Sequence, residues 1–145
     1  MTIERMDHVG VIVDDLAAAI DFFMALGLEV EGRQSVEGES VDRVIGLEGA
    51  RSDIAMMQTP DGHSRLELVE FHSPPYAGER DPEPSNAPGI RHVTFAVDDL
   101  DAALSNIRDH GAELVGEVEN YENVYKLCYV RGPAGIIIEL AERIS

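Results

Sequence analysis

Four side chains in this sequence have the types and the spacing to hold a metal ion. His8 and His92 stand 84 residues apart, and Glu67 and Glu139 stand 72 apart. Each histidine opens an apolar run, "HVGVIV" or "HVTFAV", and each glutamate is set among apolar neighbours, in "RLELVEF" and "IIIELAE". A carboxylate in such a setting faces either water at an edge or a site, because burying it unpaired is too costly. One histidine in a strand is ordinarily structural, but a His/Glu pair written twice in register is a donor set. Two imidazoles and two carboxylates suit a single divalent ion (Zn, Ni, Co, Mn or Fe), with coordination left over for water or substrate.

The elements that must position these residues are also written twice. "DHVGVIVDDLAAAI", Asp7 to Ile20, returns as "RHVTFAVDDLDAAL", Arg91 to Leu104. The offset of 84 holds without a gap through Gly27 and Glu29, which match Gly111 and Glu113. Similarity of that length marks two copies of one structural unit. Each copy starts with a strand. Val9, Val11 and Val13 share one face, and Val93, Phe95 and Val97 share the corresponding one. That bulkier face should meet a helix, which leaves each histidine on the opposite face among small neighbours.

A helix follows, capped by Asp14 or Asp15 in the first copy and Asp98 or Asp99 in the second. The "DDL" motifs are read as caps, not as metal sites. Leu16, Ala19, Ile20 and Phe23 recur at helical spacing, as do Leu100, Ala103, Leu104 and Ile107. Gly27 and Gly111 suit the left-handed residue that ends a helix. Three strands then close each copy: "LEVEGRQSV", "SDIAMMQT" and "RLELVEF", and later "AELVGEVEN", "VYKLCYVR" and "IIIELAE". The expectation is an α+β fold of two tandem βαβββ modules, spanning residues 1–72 and 90–145. The stretch 73–89 between them holds five of the seven prolines and reads as a linker. The drop in offset from 84 to 72 places about a dozen extra residues in the first copy, around "VEGESVDRVIGLEGAR", a candidate for substrate contact.

Composition narrows the partners. With 28 acidic against 11 basic residues the formal net charge is −17, which disfavours nucleic acid. No apolar run approaches the roughly 20 residues of a membrane span, so no membrane partner is expected. Cys128 is the only cysteine, which excludes an intrachain disulfide and makes the cytoplasm the expected compartment. Among the other histidines, His110 and His63 read as surface residues, whereas His72 lies within reach of the linker and so of a site rim.

With these motifs in hand, the chain resembles the vicinal oxygen chelate superfamily, which includes glyoxalase I, methylmalonyl-CoA epimerase, extradiol dioxygenases and bleomycin-resistance proteins. The resemblance runs from "DHVGVIVDDLAAAIDFFMALGLEV" to "GIIIELAE". It implies one domain over residues 1–145, in which the modules form an open U-shaped barrel around a metal held at the positions of His8, Glu67, His92 and Glu139. It also implies a small-molecule substrate and a homodimer.

The ligand pattern matches glyoxalase I. Extradiol dioxygenases carry histidine at the place of Glu67, the epimerase commonly carries glutamine there, and drug-binding members lack these ligands. The implied activity is that of a metal-dependent lyase or isomerase, moving a proton next to a carbonyl through an enediolate. Glu67 or Glu139 would be the base, and the resemblance leans to Glu139. The alternatives are an epimerase-like isomerase, a non-catalytic small-molecule binding or antibiotic-resistance module, and, less closely matched, a dioxygenase.

Overall fold

The computed structural model describes residues 2–145. The chain divides into two compact units, with the boundary between Gly78 and Glu79. In the first, β1 (Val9–Ile12) leads into α1 (Leu16–Leu26), then β2 (Glu29–Glu37), α2 (Glu39–Ile45), β3 (Arg51–Gln58) and β4 (Arg65–Ser73). The sheet order is β1-β4-β3-β2; β1 runs parallel to β4 and the other neighbours are antiparallel. The second unit repeats this with β5 (His92–Val97), α3 (Leu100–Arg108), β6 (Glu113–Leu114), β7 (Glu119–Tyr121), β8 (Tyr125–Arg131) and β9 (Ile137–Arg143). Its order is β5-β9-β8-β6, with β5 parallel to β9 and β7 also paired to β8. Each unit is thus a mixed α+β module with an open sheet, as the repeat predicts. No helix of the described residues is long and apolar enough to cross a membrane.

Period-two alternation decides which face each sheet buries. In the first module Val11, Ala55, Met57, Leu66 and Leu68 are buried, and α1 covers that face with Leu16, Ala19, Ile20 and Phe23. In the second, Cys128, Val130, Ile138 and Leu140 meet Leu100, Ala103, Leu104 and Ile107 of α3. Burying side chains of this size stabilises by about 1.5–3 kcal/mol each, so the helix-covered face is the core of each module. Residues of opposite parity on the same strands are left for other uses.

The caps fall on the second aspartate of each "DDL". Ala18 N donates to Asp15 Oδ1 and Ala102 N to Asp99 Oδ1, both at 3.0 Å. A second anchor was not legible as such in the sequence. Leu16 N donates to Glu70 at 2.9 Å, and Leu100 N to Glu142 at 2.6 Å. Each closing strand therefore grips the first turn of its own helix. Gly27 ends α1 at φ 118° and Gly111 follows α3 at φ 89°, both left-handed.

Two departures from the expected modules stand out. The extra segment of the first copy contains a seven-residue helix, α2, flanked by Gly38 and Gly46 at positive φ and fastened by Asp42, which accepts from Gly49 N and Ala50 N at 2.9 and 3.0 Å. "AELVGEVEN", expected as one strand, forms two short ones, β6 and β7. Gly116 lies in the break, where a residue without a side chain gives a strand nothing to pack. Residues 74–91 form neither helix nor strand, and Arg91 secures the end of that stretch through the carbonyls of Ala87 and Pro88, each at 2.9 Å.

Candidate functional site

In the first module, β1 and β4 run side by side with Gly10 opposite Glu67. Leu66 and Leu68 point into the core, so Glu67 points to the uncovered face, which it shares with His8 two residues before Gly10. His8 Nε2 lies 3.8 Å from Glu67 Oε2. That is too long for a hydrogen bond, so neither atom is spent on the other. The second imidazole nitrogen is engaged: His8 Nδ1 donates to Asp7 Oδ2 at 2.7 Å. This bond is the main cause holding the Asp7 carboxyl below its ordinary value, and Arg65, His8 and Arg5 add favourable charge. A carboxylate on Nδ1 fixes the tautomer with Nε2 as the lone-pair donor, an arrangement common behind metal-bound histidines.

The second module repeats the pair with different supports. Thr94 stands opposite Glu139 on the parallel strands β5 and β9, and Tyr129 stands opposite it on β8. His92 Nε2 is 3.9 Å from Glu139 Oε1. Thr94 donates its hydroxyl to Glu139 Oε1 at 2.7 Å. His92 Nδ1 faces the Tyr129 hydroxyl at 3.4 Å, and the two rings lie 5.0 Å apart at a tilt of 38°. Side-chain exposure of the four residues runs from 20% for Glu139 to 38% for His92, so all remain open to a ligand.

Each module therefore assembles one imidazole and one carboxylate. Among the described residues, no group of three or more His, Cys, Asp or Glu stands close enough together to hold a metal ion. The donor chemistry of each pair fits half of a divalent ion's shell. Both Nε2 atoms are uncommitted, both Nδ1 atoms face a polar partner, and carboxylate oxygens lie alongside.

The remaining titratable residues fall outside these pairs. His72 is five residues from Glu67 on β4, hence on the opposite face, where its Nε2 meets Asp53 Oδ2 at 2.9 Å. Its proximity to the linker does not make it a neighbour of Glu67. His63 and His110 are exposed, and Cys128 is buried in the core with its thiol pushed up chiefly by burial. Asp7, Thr94 and Tyr129 were not singled out in the sequence. The available signal was the mismatches in the repeat: Asp7 aligns with Arg91, and Gly10 with Thr94.

Comparison with known proteins places the chain in a family. Residues 5–140 match the family model of the glyoxalase/bleomycin resistance protein/dioxygenase superfamily, and the chain belongs to that superfamily. The crystal structure of a glyoxalase family protein from Bacillus cereus is 50% identical with a TM-score of 0.94, over 100% of this chain and 97% of that one. The protein YwbC of Bacillus subtilis is 25% identical over 97% of this chain and 98% of its own length. A trypanothione-dependent glyoxalase I from Leishmania major shares the fold at a TM-score of 0.64 and 22% identity, over 96% of this chain and 86% of that one.

Proposed function

We propose that this chain is a metal-dependent lyase or isomerase of the glyoxalase I type, moving a proton between adjacent carbons of a carbonyl compound. The observation that carries this reading is the doubled pair: His8 with Glu67 and His92 with Glu139, each with an uncommitted Nε2 beside a carboxylate. His8, Glu67, His92 and Glu139 would together hold one divalent ion. A bound ion supplies charge stabilisation at the carbonyl oxygen as the neighbouring carbon loses its proton. His8 presents Nε2 in the tautomer that the Asp7 carboxylate favours, and His92 presents Nε2 with its Nδ1 facing the Tyr129 hydroxyl. One glutamate takes the proton while the C–H electron pair moves toward the carbonyl, giving an enediolate; the proton on its carboxyl exchanges with solvent, and a proton is delivered from it to the adjacent carbon. A homodimer would cover sheet edges that each module leaves open.

The distribution of cations supports a small, weakly charged substrate. Arg43 pairs with Glu39, Arg65 with Glu31 and Lys126 with Asp101, while Arg131 and Arg143 bind backbone carbonyls. A coenzyme A thioester brings several phosphate charges and needs basic side chains to receive them. A thiol adduct of an α-oxo aldehyde needs far less.

The reading is tested by loading the protein with Zn, Ni, Co, Mn or Fe(II) and incubating it in deuterated water with hemithioacetals, α-oxo compounds and acyl-CoAs. Deuterium should enter the carbon next to the carbonyl of a thiol adduct or oxo compound and should cease with EDTA. Exchange confined to acyl-CoAs would replace the glyoxalase-like reading with the epimerase. Metal-loaded protein that exchanges no substrate would reject the enzyme.

A further inference from the structure

The end of the first sheet holds a cleft that the His/Glu pairs do not use. It measures about 220 Å³, and its lining includes Ser35 and Glu37 of β2, Arg51 and Asp53 of β3, and His72 of β4. Register puts four of these on one face: Ser35 lies opposite Asp53, and Glu37 lies opposite Arg51. His72 joins them through a bulge. Arg51 pairs with Ser73 and Ser52 with Phe71, so His72 is the extra residue on β4, and a bulge re-aims its side chain. His72 lies five residues beyond Glu67, roughly 16 Å at the rise of a strand. The cleft is therefore separate from the His8–Glu67 pair.

Three of these groups satisfy one another. Ser35 donates to Asp53 Oδ1 at 2.7 Å, and His72 Nε2 meets Asp53 Oδ2 at 2.9 Å. Both carboxylate oxygens are thus engaged. Arg51 stands two residues from Asp53 on the same face and would otherwise be its natural partner. Instead the Arg51 side chain makes no ion pair or hydrogen bond among the described residues, and neither does that of Glu37. Opposite charges set directly across two strands ordinarily pair. Here a guanidinium and a carboxylate flank one cleft, both exposed and both uncommitted.

We infer that this cleft binds a small zwitterion of the free amino-acid class, its carboxylate on the Arg51 guanidinium and its ammonium on Glu37. The charges decide the class. A simple anion would meet Glu37 and Asp53 as well as Arg51. A simple cation would meet Arg51 and also Arg33, whose charge reaches Asp53. A ligand carrying both signs gives each free group its counter-charge. Guanidinium and carboxylate match as a bidentate fork, which fixes the ligand's orientation. The volume falls below the roughly 300–1,000 Å³ of sites for drug-sized ligands, so the occupant is small. His72 is a positioning residue: by holding Asp53 it keeps that carboxylate off Arg51.

The test is a titration of isotopically labelled, metal-free full-length protein followed by amide NMR shifts, so its result does not depend on the proposed metal chemistry. The probes are glycine, alanine, serine, glutamate, lysine and phenylalanine, with acetate and ethylamine as the two half-ligands. At least one amino acid should bind with a dissociation constant of about 5 mM or tighter, shifting residues 35–37, 51–53 and 72. Each half-ligand should bind about tenfold more weakly or worse, and R51Q and E37Q should each weaken the amino acid by a similar factor. H72A should weaken it by about two- to fivefold, the strength of an exposed ion pair newly formed between Asp53 and Arg51. H72A/D53N removes the competing carboxylate and should restore binding. The amide spectra also confirm that each variant is folded. The inference is overturned if no amino acid in the panel reaches that affinity, if acetate binds as tightly as the amino acid, or if R51Q and E37Q bind like the wild type. Shifts confined to residues outside the cleft overturn it as well, and H72A/D53N that stays as weak as H72A overturns the role of His72.

Discussion

Replacing Glu142 with alanine should destabilise the protein without touching the proposed ligands. Glu142 lies three residues from Glu139 on β9, so the two carboxylates project from opposite faces of one strand. Its Oε1 accepts from Leu100 N at 2.6 Å, at the first turn of α3. Leu100 is fully buried, so water cannot readily replace the lost acceptor. A hydrogen bond to a charged group contributes about 1.5–3 kcal/mol, and an orphaned buried donor costs a similar amount. The favourable position of a carboxylate at a helix N-terminus is part of that figure, at about 0.3–1 kcal/mol. E142A should therefore cost about 2 kcal/mol, which for a chain of this length lowers Tm by about 4–8 °C.

Urea unfolding followed by circular dichroism provides the assay, with the midpoint falling and the slope unchanged. E142Q keeps an acceptor oxygen and should recover roughly half the loss. E70A, which removes the acceptor of Leu16 N in the first module, should cost a comparable amount. An E142A variant within about 0.5 kcal/mol of wild type, the range of ordinary surface substitutions, would refute the role given to this contact.

Three further outcomes follow from the same geometry. D7A removes the partner of His8 Nδ1 and should weaken metal binding by about 10–100-fold, read by titration with Ni(II), while leaving far-ultraviolet circular dichroism unchanged. Asp53 is held below its ordinary value of 3.8, first by the Ser35 hydroxyl and then by His72. A depressed carboxyl contributes stability above its unfolded pKa and loses it as pH falls through the folded value. The stability gap between wild type and S35A should accordingly be full near neutrality and close below about pH 4, as measured by urea unfolding across pH. Light scattering should give a mass of two chains, and a monomer at working concentration would exclude the homodimer.

The sequence carried the module plan because the repeat is strict where packing is strict. Val11, Leu16, Ala19, Ile20 and Phe23 occupy the core positions of a pattern that Leu100, Ala103, Leu104 and Ile107 repeat, and helix and strand periods fix those faces. The His/Glu pairs were legible for the same reason: register on paired strands brings residues 59 or 47 positions apart within 4 Å. What escaped was set by departures from the repeat and by contacts between strands. Gly10 against Thr94 looks like an ordinary small-residue exchange until the partner strand shows that each faces a glutamate. Glu70 and Glu142 read as surface charges, because nothing in a linear pattern reports which helix a strand end will cap. The break between β6 and β7 and the helix α2 lie where local composition gives only a glycine or a charge run.

The proposal that His8, Glu67, His92 and Glu139 hold a divalent ion is open to direct measurement. Its most direct test is elemental analysis of purified, Ni(II)-reconstituted protein alongside H8A, H92A and the double variant, each confirmed folded. Wild-type protein should retain one ion per chain, each single variant should retain less and the double variant none. Folded wild-type protein that retains no ion, or a double variant that retains as much as the wild type, would contradict it.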